Sequence, residues 1–383
     1  MTFLLLCLSI SLLCKVVFSH HDGGHEDDYG KGKHDSHHHV HGNEIVPSNS
    51  QFAFRLFKQV NSAKPLENSL FSTVAIPTAF GMLSEVARSK THDEILNGIG
   101  SKNSETAKDD YNAWFRVIFN VLSPLDSELQ LNRGNARFIN KNVKTLQPFL
   151  DRVKRHSESE AFSSDTNSDE AKEQINSYMN KNTNGKIPEL LSSIDKDTIS
   201  LLDNWIFFRG KWEMPFNEEF TSEGDFHVDE NTVVTVPFMR RTGMYNVLLS
   251  ENVTVVEIPY KGNASALFIL PKEGKLRHIE QNLQESTIKT WKSKLESQYV
   301  ELSLPTFSLS LALDLIETFD KLGITKVFSD AADLPGITEQ AKLKGSKVVH
   351  KAYLSVSEKG TEASAVTALE IMPVSLPSSI VIK

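Results

Sequence analysis

The chain has 383 residues, with 41 Lys and Arg against 49 Asp and Glu and a formal net charge of −8, which excludes a nucleic-acid binder that draws its affinity from a basic face. Apolar residues make up 39% and aromatics 9%, including 22 Phe, enough to bury a large core and too apolar for a disordered chain. Its two cysteines, Cys7 and Cys14, lie at the start.

Residues 3–13 form an apolar run shorter than the ~20 residues needed to cross a bilayer core. Val17 and Ser19 flank Phe18 in the pattern a signal peptidase accepts, so residues 1–19 read as a leader cleaved before His20, taking both cysteines with it. A secreted chain without disulfides depends on its core alone, which suits one large domain. No later stretch is apolar for long enough to span a membrane, so neither a membrane nor a nucleic acid is expected as a partner. Residues 20–48 read as a disordered tail holding His20, His21, His25, His34, His37, His38, His39 and His41 among Gly, Asp and Lys. Two readings stand: a tether for zinc, copper or nickel, since neutral imidazoles ligate all three, or a hydrated leader with no ligand.

From Asn49 to Val60, Phe52, Ala53, Leu56, Phe57 and Val60 fall on one face of a helix. Pro77 opens a second helix carrying Phe80, Leu83 and Val86. Thr91 with Glu94 forms a capping box for a third, stopped by Gly98 and Gly100. Trp114, Ile118, Val121 and Leu122 mark a further helix, and residues 168–181 read as a polar one with Ile175, Tyr178 and Met179 inward. Strands follow at 225–228, 232–239, 244–249, 253–260 and 264–270, with turns at 229–231, 250–252 and 261–263. Helices first, then hairpins, then mixed elements give an α+β fold; no Pro- or Gly-rich linker stands between Asn43 and Lys383, and residues 49–383 read as one domain.

The chain has no Gly-x-Ser-x-Gly elbow, no His-Glu-x-x-His, no Cys-x-x-Cys and no phosphate loop, and it reads as no enzyme. Sequons stand at Asn252 and Asn263, both at hairpin turns.

Three segments together resemble the serpins, most closely the α1-antitrypsin-like secreted clade: residues 170–187, residues 204–212, and residues 322–328 with 349–363. The resemblance implies three β-sheets named A, B and C, about nine helices and an exposed reactive-centre loop. It further implies that Ser72, Asn204 and His350 form a gate beneath the opening of sheet A, and that Trp212 stands at the breach above it. The sequence departs from the family pattern at Thr73, Ala75 and Thr306, where a Pro, a second Ser and a lysine facing Glu358 are usual. The family pattern also continues through two more strands of sheet B after Lys383.

Gly360, Thr361, Glu362, Ala363, Ser364, Ala365 and Val366 form a hinge, small or β-compatible everywhere except Glu362. As a strand it would point Thr361, Ala363 and Ala365 into a packed sheet and Glu362 and Ser364 outward. Beyond it, Pro373 and Pro377 hold the chain out of helix and sheet. The mechanism implied is suicide inhibition of a serine protease by loop insertion. Counting sixteen residues from Glu358, as the resemblance in the loop implies, places the scissile bond at Val374-Ser375, with Met372 the next candidate if the register slips, and a small branched Val suits an elastase-like target. The expectation is a secreted, glycosylated, monomeric inhibitor; the alternative is a non-inhibitory carrier or divalent-metal-binding plasma protein on the same fold.

Overall fold

The computed structural model of the chain describes residues 4–6, 42–65, 67–100, 129–140, 143–155, 159–164, 169–183, 185–189, 200–228, 231–262, 264–339, 343–345, 347–361 and 379–383. Apolar side chains spaced by four, Phe52, Leu56 and Val60, bury one stripe of α1 (Gly42–Ala63), which starts seven residues before Asn49, inside the segment read as tail. Helix α2 (Ala75–Val86) is capped by Ser72, whose hydroxyl accepts from the N–H groups of Val74 and Ala75 at 3.2 and 2.9 Å. Pro77 therefore lies within the first turn rather than opening it.

Helix α3 (Ser89–Gly98) corrects the capping-box reading. The Thr91 hydroxyl accepts from Asp333 N–H at 3.0 Å, and Glu94 Oε2 accepts from Thr325 N–H, Thr325 Oγ1 and Lys326 N–H at 2.9, 3.0 and 2.7 Å. Both side chains tie the helix to a distant loop instead of closing its own first turn.

Further along run β2 (Leu129–Asn140), α4 (Gln147–Arg155), β3 (Ser159–Ser164), α5 (Asp169–Asn182) and β4 (Ser200–Lys211). Ile175 and Met179 of α5 are buried as their spacing requires, while Tyr178 is half-buried. Then come β5 (Ser222–His227), β6 (Val233–Leu249), β7 (Val253–Pro259), β8 (Ser265–Pro271), α6 (Leu276–Asn282) and α7 (Glu285–Ser293). The chain closes with β9 (Glu296–Pro305), β10 (Phe307–Asp314), α8 (Ile316–Lys321), β11 (Lys347–Ser357), β12 (Gly360–Thr361) and β13 (Ile380–Ile382). The strands read at 232–239 and 244–249 are one 17-residue strand, β6.

The fold is α+β, with eight α-helices among the described residues. One sheet runs β10-β11-β12-β4-β2-β3, with an additional β11–β4 pairing. The other network runs β1-β8-β7-β6-β9-β13, with β5 on β6. Because β6 is long enough to pair with β5 over residues 233–238, with β9 over 238–247 and with β7 over 246–249, it carries one sheet into the next. Strand β1 (Leu4–Leu6), inside the leader segment, pairs antiparallel with the edge of β8. The largest apolar core lies between α2, α8 and the sheets, where Phe80 and Phe319 meet at 4.2 Å between ring centroids. A second layer packs Ala53, Phe54 and Phe57 of α1 against Val253, Val255, Leu267 and Ile269 of β7 and β8.

Candidate functional site: the seam between β4 and β11

β4 and β11 pair in parallel over seven residues, Leu201–Phe207 against Lys347–Tyr353, so the sheet is closed along this seam. His350 stands opposite Asn204 in that register and is 0% exposed. Its Nε2 accepts a hydrogen bond from the Ser72 backbone N–H at 3.0 Å, which fixes that nitrogen as the unprotonated one. The Ser72 hydroxyl is occupied in capping α2, so the link from helix to seam runs through its backbone. The three gate residues read from the sequence thus meet at one place: Ser72 and His350 through a buried bond, Asn204 and His350 through strand register.

At the upper end the seam admits a third strand. Gly360 and Thr361 pair antiparallel with Lys211 and Gly210 of β4 and with Ser357 and Val356 of β11. Both are buried, and the hydroxyls of Thr361 and Tyr260 are 2.7 Å apart. Trp212 stacks on Tyr260 with ring centroids 4.4 Å apart and planes inclined by 15°, and its Nε1–H donates to Ser357 O at 2.9 Å. The turn before the hinge is equally held: Phe216 N–H donates to Glu358 O at 2.8 Å, Trp212 N–H to Lys359 O at 3.1 Å, and the Thr221 hydroxyl to Glu358 Oε1 at 2.6 Å. Lys359 Nζ reaches Glu218 at 2.6 Å. With Thr at 306, the group that meets the Glu358 carboxylate is the Thr221 hydroxyl.

Beside the seam, Lys351 Nζ donates to the Glu189 carbonyl oxygen at 2.6 Å, and Lys186 Nζ lies 5.7 Å from the centroid of the Tyr353 ring. Burial pushes the Lys351 ammonium below the ordinary lysine value, against the pull of the Glu189 charge.

Among the hinge positions, Gly360 and Thr361 are described, and Thr361 points inward as alternation requires. Glu362, Ala363, Ser364, Ala365, Val366 and the Val374-Ser375 bond lie outside the described residues, as do Asn263 and the eight tail histidines. Asn252 is exposed at the turn into β7, while Thr254 of its sequon is buried. Among the described residues no cluster of three or more His, Cys, Asp or Glu could hold a metal ion, and no helix is long and apolar enough to cross a membrane. Sequence reasoning missed Tyr260, Thr221 and Phe216. Nothing local marks them, since each acts on residues about a hundred or more positions away.

Residues 47–382 match the family model "Serpin (serine protease inhibitor)". The chain is 45% identical over 337 residues to alpha-1-antiproteinase 2 of Equus caballus, covering 87% of this chain and 80% of that protein. It is 41% identical over 378 residues to the alpha-1-antiproteinase of Callosciurus caniceps, covering 98% and 91%. Among solved structures it is similar to human thyroxine-binding globulin complexed with thyroxine, with a TM-score of 0.82, 37% identity, and coverage of 88% of this chain and 90% of that one. It is also similar to human glycosylated kallistatin, with a TM-score of 0.79, 36% identity, and coverage of 86% and 90%.

Proposed function

The chain belongs to the serpin family, and on that premise we propose that it is a secreted inhibitor of serine proteases, of elastase-like preference, that works by inserting its cleaved loop into the β4–β11 seam. The observation that carries this reading is the hinge itself: Gly360 and Thr361 already form a short strand between β4 and β11, while the seam below is closed by direct pairing. The target's serine oxygen attacks the Val374 carbonyl carbon; the bond to the Ser375 nitrogen breaks, that nitrogen takes the serine's proton through the target's histidine, and an acyl ester remains. The freed chain then zips downward from Thr361, alternate side chains entering the core, and carries the acyl-enzyme away before water hydrolyses the ester. Incubation of the secreted protein with neutrophil or pancreatic elastase is expected to give an SDS-resistant adduct. Cleavage at the loop without adduct would overturn the reading.

A second reading, a carrier, is favoured by Asn49. Its side-chain amide is buried and has no hydrogen-bond partner among the described residues. It sits one helical turn before Ala53, on the face of α1 that packs against β7 and β8. A small apolar ligand with one polar group would satisfy that amide, and thyroxine-binding globulin, a similar structure, was solved with thyroxine. Thermal stabilisation by thyroxine, lost in Asn49→Leu, would support this reading; no shift would remove it.

We further propose that the eight imidazoles among residues 20–41 bind a divalent ion of the zinc, copper or nickel class. Titration with zinc is expected to give binding that deletion of residues 20–41 abolishes. Equal binding by the shortened chain would overturn it.

A further inference from the structure

The sequon Asn252-Val253-Thr254 lies at the turn from β6 into β7, and the fold treats its two polar side chains oppositely. The Asn252 side chain is exposed and makes no hydrogen bond among the described residues. Thr254 is 2% exposed. It is enclosed on both edges, opposite Leu249 of β6 and Leu270 of β8. The face of β7 that carries Thr254 also carries Val256 and Ile258 of the largest core, while the other face sets Val253 and Val255 against α1.

The turn is held as firmly as the strand. Ser250 N–H donates to Val253 O at 3.0 Å, the Ser250 hydroxyl donates to the same oxygen at 2.8 Å, and Lys272 N–H donates to Asn252 O at 2.9 Å. An enzyme that adds sugar to this sequence must hold the Asn amide and the Thr hydroxyl together, because recognition requires both. In the folded chain only the first can be reached. Freeing the second means parting β7 from β6 and β8 and opening an apolar layer on each face, which is unfolding of the sheet rather than a loop movement. The position is also remote from the hinge. β7 runs from this turn toward Tyr260, which meets Thr361, a separation of about 25 Å for an extended strand.

We propose that Asn252 carries an N-linked oligosaccharide that is attached only before β7 pairs with β6 and β8, a proposal that rests on the secreted reading above. The Asn252 amide nitrogen attacks the anomeric carbon of a lipid-pyrophosphate-linked oligosaccharide. A carbon–nitrogen bond forms, the bond from that carbon to the pyrophosphate oxygen breaks, the lipid pyrophosphate leaves with the electron pair, and the amide gives one proton to a basic group of the transferase. Pairing of β7 then buries Thr254 and leaves the sugar outside, at the end of the strand away from the hinge. A chain that pairs first keeps a bare Asn252, and no later encounter with the transferase repairs it.

The test uses the full-length chain expressed in secretory cells, its gel mobility compared before and after an amidase that removes N-linked sugar. Asn263→Gln, which leaves Asn252 in the remaining sequon, is expected to keep a mobility shift. Asn252→Gln or Thr254→Val, added to that variant, is expected to abolish it, and Thr254→Val does so with the asparagine still in place. The timing is tested on the Asn263→Gln chain made in bacteria and given a solubilised transferase with its lipid-linked donor. Added directly from urea, the chain is expected to accept sugar at Asn252; once refolded, it is expected to lose that acceptance. Equal acceptance by the refolded chain would overturn the proposal. Sugar at Asn263 alone in the secreted wild type would overturn it while sparing the secreted reading, and sugar at neither sequon would overturn both.

Discussion

The hydroxyl oxygens of Tyr260 and Thr361 are 2.7 Å apart in a site closed to water, joining the residue that follows β7 to the second residue of β12. Neither hydroxyl is exposed, so removing either breaks a fully buried bond. Tyr260→Phe and Thr361→Val are each expected to destabilise the uncleaved protein by about 1–2 kcal/mol. The double variant should cost clearly less than the sum, because the pair shares one bond. Urea unfolding of the four proteins measures the coupling; full additivity would mean that the hydroxyls act separately.

His350 accepts from the Ser72 N–H, and that defines which replacements it tolerates. His350→Leu leaves the Ser72 N–H buried without its partner and is expected to cost about 1–3 kcal/mol. His350→Gln supplies a carbonyl oxygen on a side chain of similar reach and should recover part of the loss. Thermal unfolding of the two variants checks this, and equal losses would show that packing of the ring, rather than acceptance from Ser72, is what matters.

Glu94 gives the fold an acid-sensitive tie. Burial opposes its charge, but the N–H groups of Lys326 and Thr325, the Thr325 hydroxyl and the Lys326 charge prevail and hold its carboxyl below the ordinary value of 4.5. A carboxyl with a lowered folded-state value stabilises the protein above the unfolded-state value and loses that contribution as pH falls through the folded one. Glu94→Gln is therefore expected to lower stability by about 1 kcal/mol at pH 7, a figure already reduced for its partial exposure to solvent. The difference from wild type should shrink progressively below pH 4.5. Denaturation at pH 7 and at acid pH tests it; a gap that stays constant would assign the loss to geometry alone.

The same residue shows why part of the fold was legible in the sequence and part was not. Periodicity found Phe52, Leu56, Ile175 and Met179, because burial of a helix face is written at fixed spacing. Thr91 and Glu94 carry the spacing of a capping box, yet the pattern is identical when both side chains turn away to Asp333, Thr325 and Lys326, more than 230 positions later. The continuity of β6 through residues 240–243 was equally hidden, since it depends on the facing β9, with Arg241 opposite Leu302 and Gly243 opposite Val300. Of the site, Ser72, Trp212, His350 and Thr361 were named in advance through resemblance and alternation. Tyr260 and Thr221 were not, because their roles exist only after distant strands have met.

Gly360 tolerates little change. Its φ is +141°, a backbone conformation that L side chains rarely adopt, and a Cβ there would lie 2.1 Å from Gly210 O and 2.8 Å from Lys211 Cα. Both obstacles are backbone atoms of β4, the strand with which Gly360 pairs, so relief requires pulling β12 away from its partner. Gly323 provides the control: its φ of +87° is also unfavourable for a side chain, but no atom lies within 4 Å of its would-be Cβ. Gly323→Ala is expected to cost about 1 kcal/mol, the conformational penalty alone. Gly360→Ala should cost at least about 2 kcal/mol and withdraw Thr361 from the seam, exposing residues beyond it to faster cleavage by a non-target protease. Equal effects of the two substitutions, on melting temperature and on cleavage rate, would show that the hinge is not seated between β4 and β11 in solution.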